Sequence, residues 1–294
     1  GQCDCQYSAN DRTLWSFKHH PGLHRPGTQL ILNFIFFTLL LLGHQSIMLK
    51  ENSSRKITQP FLFSVEKNGV RSFLFGTIHS GISLSDLPPT VTSALLRSEI
   101  AFSENTPTKP VEKEKQPLVH RPYPSEKAVA VLRKRGIPEY LFTSPMICSF
   151  YYTWDLDKDK FYLDSELKEM AVEFGKPLYS LDDTSDLAEI AKRGDAADEK
   201  CDIEETVKYL SPEETSISNQ RYLASYRTGD LRTVTPCDGH CMERTLRWAK
   251  KLTTEERSFF AFVGVAHLPG ASGLIELLLK QGYAVKQVTG RKLD

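Results

Sequence analysis

Net charge is the first thing this sequence lacks: 37 lysines and arginines are offset by 37 aspartates and glutamates. Without a basic excess there is no phosphate-neutralising footprint, which argues against nucleic acid as a partner. Also missing are the P-loop, the GxGxxG dinucleotide turn and the GxSxG nucleophile elbow. Nucleotide use and serine-hydrolase chemistry therefore have no support. Cysteine is limited to six residues, and Cys3 and Cys5 fall in a segment set apart below, leaving Cys148, Cys201, Cys237 and Cys241. No second cysteine pair stands at zinc-finger distance, so Cys237-Asp-Gly-His-Cys241 reads as a loop disulfide or free thiols. The competing reading, a metal knuckle, is weakened by its C-x3-C spacing and by His240 standing directly beside Cys241. What is plentiful is apolar surface: 40% hydrophobic residues over 294 positions can fill a substantial core, which excludes disorder throughout.

The sharpest break in composition comes early. Leu30 to Leu42 reads LILNFIFFTLLLL after a stretch holding Arg12, Lys18 and Arg25, the length and flank of a signal-peptide apolar region. Extended to residue 49, the run can also be read as a membrane anchor. Residues 1–50 are accordingly treated as a leader, and 51–294 as the folded domain. The expectation is an exported protein, periplasmic or extracellular, touching membrane only through residues 30–49. Export permits disulfides.

Beyond the leader, Phe61 to Val65 and Ser72 to Phe75 are apolar runs joined through Asn68-Gly69, a strong hairpin signal. The second run enters Gly76-Thr-Ile-His79. A helical pattern from Val91 to Ser98 follows Pro89, and a strand Ile100 to Phe102 leads to Ser103-Glu104. This is a strand, loop, helix, strand unit of a parallel sheet. Residues 106–124 carry five prolines and alternating charge and read as an exposed connection. The middle, about 125–255, is helical by pattern, with segments 125–135 and 163–174 stopped by Gly136 and Gly175. Between them and later helices, Lys176 to Leu181 reads as a short buried strand before Asp182-Asp183. The end repeats the beginning: Ser258 to Val263, then Gly264-Val-Ala-His267, a Leu-Pro loop, a helix from Gly273 to Lys280 and a strand from Ala284. The fold class is α/β, with a mostly parallel or mixed central sheet from two strand-GxxH-helix units and a helical middle.

A lone GxxH carries little information, but each copy here follows an aromatic-rich strand and precedes a loop and helix. Both histidines should stand at the carboxyl ends of parallel strands, the edge where open α/β sheets bind ligands. Each glycine is expected to turn the backbone out of its strand. Glu104 joins them by following its own strand. Two imidazoles and a carboxylate form a common hydrolytic metal set, so His79, Glu104 and His267 are the expected ligands of a divalent ion. The plainer reading makes the histidines strand-end residues and pairs Glu104 with a cation. Tyr151, Tyr152 and Trp154 read as core.

Phe73-Leu-Phe-Gly-Thr-Ile-His79 with Leu87-Pro88, and Phe262-Val-Gly-Val-Ala-His-Leu-Pro-Gly270 with Gly273-Leu-Ile-Glu-Leu-Leu278 and Gln281-Gly-Tyr283, resemble the two hallmark blocks of the TraB/GumN family, which includes the Tiki proteases. The resemblance spans about residues 60–290. It implies an α/β fold with a helical middle and, in the Tiki branch, a protease using a divalent metal, manganese or cobalt in preference to zinc. It matches Glu104 to the family's acidic residue and Arg244 to an arginine that would orient substrate or steady a developing oxyanion. Two positions depart from the pattern: Thr245 where asparagine commonly follows the arginine, and Asp182 where glutamate commonly follows the Gly-Lys-Pro strand. A shorter carboxylate or a lost amide can retune or remove activity on an intact fold.

The function expected is an exported metal-dependent hydrolase, a peptidase with Mn, Co or Zn as cofactor, acting on a peptide or protein substrate and able to form a homodimer. His79, Glu104, Arg244 and His267 are its expected site residues. The alternative is a non-catalytic binding protein on the same scaffold, holding a peptide, a metal or a haem-like ligand.

Overall fold

The turn at Asn68-Gly69 starts the sheet. Both residues take the left-handed backbone, with φ 53° and 80°, as the two central positions of a type I′ hairpin require. Strand β1 (Leu62–Lys67) therefore folds back on β2 (Val70–Thr77), with Leu62 opposite Phe75 and Lys67 opposite Val70. The computed structural model describes residues 56–105, 121–157, 162–186, 188–189, 202–289 and 293. The leader and its apolar run lie outside them, as does most of the 106–124 connection. Among the described residues no helix is long and apolar enough to cross a membrane.

From β2 the chain passes through helix α1 (Pro89–Arg97), whose proline occupies the first turn, into β3 (Ile100–Ser103). These two strands are not neighbours. The strand order is β4-β3-β5-β2-β1-β6, and β5 (Phe259–Gly264) lies between β2 and β3, parallel to both. Five residues of β5, Phe259 to Val263, are buried, and a strand apolar on both faces has nowhere stable but the middle of a covered sheet. Strand β4 (Leu178–Ser180) adds to β3 in parallel, and β6 (Ala284–Gln287) pairs antiparallel with β1. The sheet is thus mixed, with β1 alone running against the rest. One expectation needs correcting: β4 is an edge strand, not a buried one. Among the described residues it has a single neighbour, and its Tyr179 is 41% exposed.

The middle segment supplies α2 (Glu126–Arg135), α3 (Ile147–Asp157), α4 (Leu163–Glu173), α5 (Ile203–Tyr209), α6 (Pro212–Arg227) and α7 (Gly239–Thr253), with α8 (Leu274–Lys280) after β5. Ser125 caps α2 at one end and Gly136, in the left-handed region, closes the other. Helices α2, α3 and α5 build a second small core around Leu132, Phe142, Ile147 and Tyr151, where the Tyr151 hydroxyl donates to the Leu210 carbonyl at 2.6 Å. The aromatic cluster is core, as expected. Helix α6 reaches the main sheet, its buried Tyr226 hydroxyl donating to the Gly76 carbonyl at 2.7 Å.

Candidate functional site

Because β5 sits between β2 and β3, the carboxyl ends of three parallel strands lie side by side. Thr77 pairs with Gly264, and Ser103 with Phe262. His79 follows β2 by two residues, Glu104 follows β3 directly, and His267 closes the single 3-10 turn Val265–His267 after β5. All three face Gly264. Its N–H donates to Glu104 Oε1 at 2.6 Å. A Cβ at this position would stand 3.1 Å from that oxygen, 3.7 Å from His267 Cδ2 and 4.0 Å from His79 Nε2. The glycines of the two motifs are therefore not the turn residues expected of them, since neither has a positive φ. Gly264 leaves room for the Glu104 carboxylate, and Gly76 lets Leu268, Phe61 and Val265 close over β2, the nearest carbon 2.7 Å from where a Cβ would be.

Each imidazole is held through Nδ1. On His79, that atom lies 3.0 Å from Asp164 Oδ2. On His267 it lies 2.6 Å from Thr245 Oγ1 and 3.3 Å from Cys237 Sγ, with the Trp248 ring packed against the imidazole at 4.4 Å. The Thr245 hydroxyl has one proton and donates it to the Cys241 carbonyl at 2.8 Å, so toward His267 it accepts. His267 is thereby assigned the Nδ1–H tautomer, and its Nε2 carries a lone pair. That lone pair lies 3.9 Å from Glu104 Oε1. Two acceptors thus face each other across the site.

Electrostatics reinforce this assignment. Burial drives the His267 pKa down to about 4, against the pull of Glu104 and with Arg244 and His79 adding to the fall. The ring is neutral at physiological pH. Burial also opposes ionisation of Glu104, yet the imidazoles of His267 and His79, the Arg244 guanidinium and the Gly264 N–H bring its pKa down to about 2. His79, whose side chain is 35% exposed, goes the other way. Desolvation is outweighed by the hydrogen bond and charge of Asp164 and by Glu104, which raise its pKa to about 9.

The role expected of Arg244, contact with substrate, is not where the structure puts it. The residue is fully buried. Its Nε and Nη2 reach Asp182 Oδ1 and Oδ2 at 3.0 and 2.8 Å, Nη2 also reaches Glu104 Oε2 at 3.1 Å, and the guanidinium lies 4.6 Å from the centre of the Trp248 ring. Trp248 Nε1 donates to Asp182 Oδ1 at 2.9 Å. A guanidinium spent on two carboxylates under a closed surface fixes Glu104 from behind. Burial raises the Asp182 pKa against these partners. Both departures from the family pattern thus sit in this scaffold: Asp182 clamps Arg244, and Thr245 sets the tautomer of His267.

The expected metal ligands converge, but as they stand they do not form the tightest ligand set. Among the described residues, the donor atoms within 4.8 Å of one another belong to Cys237, Cys241 and His267. Cys241 is disulfide-bonded and so offers no thiolate. Burial first of all pushes the free Cys237 thiol up to about 11, far from the thiolate a metal requires. In this oxidised form the cysteine cluster suits a metal less well than the Nε2 side of His267. His240 takes no part in it, its Nδ1 lying 3.8 Å from Glu243.

Asp164, Thr245 and Cys237 were not anticipated as parts of the site. In the sequence Asp164 carries no signal beyond being an acid in a first helical turn, and Thr245 shows only as a departure from the family pattern. A comparison with known families matches residues 61–287 to the TraB/PrgY/gumN family. No curated protein and no solved structure matches the chain. The chain belongs to the TraB/PrgY/gumN family.

Proposed function

We propose, taking membership of the TraB/PrgY/gumN family as the premise, that the chain is an exported metal-dependent hydrolase that cleaves peptide bonds. One observation carries the reading: the unprotonated Nε2 of His267 and the anionic Oε1 of Glu104 face each other at 3.9 Å, with His79 Nε2 closing the same space above Gly264. Two opposed lone pairs in a buried site are unfavourable alone and become favourable around a cation. The donor types suit Mn, Co or Zn. A divalent ion bound there would supply Lewis acidity and an acidified water.

The chain's own groups have separable tasks in this reading. Glu104 gives the negative charge and is held by Arg244 and the Gly264 N–H. His267 gives a neutral nitrogen. His79 stands at the solvent side, where a peptide would enter, and must release its proton to act as a ligand. Export is supported by the apolar run at 30–42 and by the disulfide bonds of Cys148 and Cys241.

The test is metal content and peptide-library cleavage of the full chain, beside His267→Ala and Glu104→Gln. Roughly one ion per chain in the wild type, with binding and cleavage lost in both variants, supports the hydrolase. An ion retained without cleavage would favour the binding-protein alternative. Equal metal content in all three proteins refutes the site.

A further inference from the structure

We infer that Asp164 is a positioning residue that orients His79, holding Nδ1 so that Nε2 is turned toward Glu104 and His267. The inference deepens the hydrolase reading and rests on it for its functional meaning, though the geometry stands apart. Asp164 lies in the first turn of α4 (Leu163–Glu173), where an acid would ordinarily face its own helix dipole and free N–H groups. Its carboxylate bonds away from the helix. Oδ1 accepts from the Thr77 hydroxyl at 2.7 Å and Oδ2 meets His79 Nδ1 at 3.0 Å, while the helix starts at Tyr162 without a side-chain cap. Both bonds go to residues more than eighty positions away.

The arrangement is rigid on both sides. Thr77 ends β2 and is fully buried. Thr77 and His79 stand two residues apart at the end of β2, and the one carboxylate takes both. Leu163, Leu167 and Ala171 bury α4 in the main core. On the far side of the same turn, Glu166 Oε2 accepts from the Leu84 N–H at 2.6 Å and the Ser83 hydroxyl at 3.2 Å. The first turn of α4 is thus pinned to the loop after His79 at two places. The two imidazoles of the site then differ by design of their partners: a carboxylate behind His79 and a neutral hydroxyl behind His267. A carboxylate behind a ligating imidazole fixes the ring and strengthens it as a donor.

Two readouts on the full chain test this. Cobalt(II) binding, followed by its visible absorption, should weaken roughly 10- to 100-fold in Asp164→Asn, the range seen when such a partner is removed. In the metal-free protein, proton NMR should show a downfield imidazole Nδ1 proton, assigned to His79 by its absence in His79→Ala and lost in Asp164→Asn. A variant that keeps this proton overturns the inference whatever its cobalt affinity, and so does a wild type without it. Loss of the proton with unchanged cobalt affinity overturns the positioning role. If the wild type takes up no cobalt, the hydrolase reading fails and the proton alone decides on Asp164. Should Asp164→Asn not fold, Thr77→Val carries the test: several-fold weaker cobalt binding with a displaced proton supports the inference, and no change in either refutes it.

Discussion

Replacing Arg244 by methionine removes the cation that two buried carboxylates share. Asp182 and Glu104 both bond to the same Nη2, and none of the three is appreciably exposed. Breaking a buried pair on one side costs about 3–5 kcal/mol, because the remaining charge has lost both water and partner. Against a domain stability of about 5–15 kcal/mol, this leaves a folded but marginal protein. Its thermal midpoint should fall by roughly 6–20 °C at about 2–4 °C per kcal/mol. Urea unfolding followed by circular dichroism at pH 7 should show the loss in midpoint with the slope unchanged. The deficit should shrink toward pH 5, since burial already raises the Asp182 pKa and an uncompensated carboxyl escapes its penalty by taking a proton. Adding Asp182→Leu to Arg244→Met should recover part of the loss, as it removes one of the two stranded carboxylates and leaves Glu104. A single variant within about 1 kcal/mol of wild type, the range of surface pairs, or a double variant no better than the single, would refute the clamp.

Two further outcomes follow from the same site. The His267 pKa of about 4 lies below its unfolded value, so the unfolded chain binds the extra proton and stability should decline as pH falls from 6.5 through 4. The contribution of Glu104, at about 2, is complete above pH 4.5 and lost toward 2. Each is worth about 3 kcal/mol by linkage, and a flat unfolding free energy between pH 7 and 4 would contradict the assignment. His79, raised to about 9, adds stability that is full below pH 6.5 and fades as pH passes 9, a smaller effect at its exposure. Gly264→Ala would place a Cβ 3.1 Å from Glu104 Oε1. Overpacking of this kind costs about 1–3 kcal/mol, and the carboxylate should shift off the Gly264 N–H. Chemical denaturation and the backbone amide shift of residue 264 read both effects, and a variant of wild-type stability and shift counts against the crowded geometry.

The β-hairpin, the three parallel strands and most helix ends were legible because each is written locally. Asn68-Gly69 demands its turn, Gly136 and Gly175 stop their helices, and apolar runs of strand length bracket both GxxH motifs. His79, Glu104 and His267 could be read for the same reason, each directly following a strand. The exposure of Tyr179 could not, because the alternation of β4 does not say how many neighbours the strand has. Nor could the reason for Gly76 and Gly264 be read: their need is room for side chains from other strands and loops, whereas a turn would have been a local requirement.

What the sequence determined by itself is the set of strand-end residues, through apolar runs of strand length and the turn signals that bound them. The placement of β5 between β2 and β3 is a tertiary decision, made because a strand apolar on both faces is stable only in the sheet's interior. That placement brings residues 79, 104 and 267 to one point. The partners behind them, Asp164, Thr245 and Arg244 on helices and Asp182 just after β4, lie 22 to 140 positions away in sequence from the groups they hold. Hydrogen bonds and ion pairs over such separations leave no periodicity in the chain, so only the packing of α4 and α7 against the sheet could decide which nitrogen of each histidine faces the site.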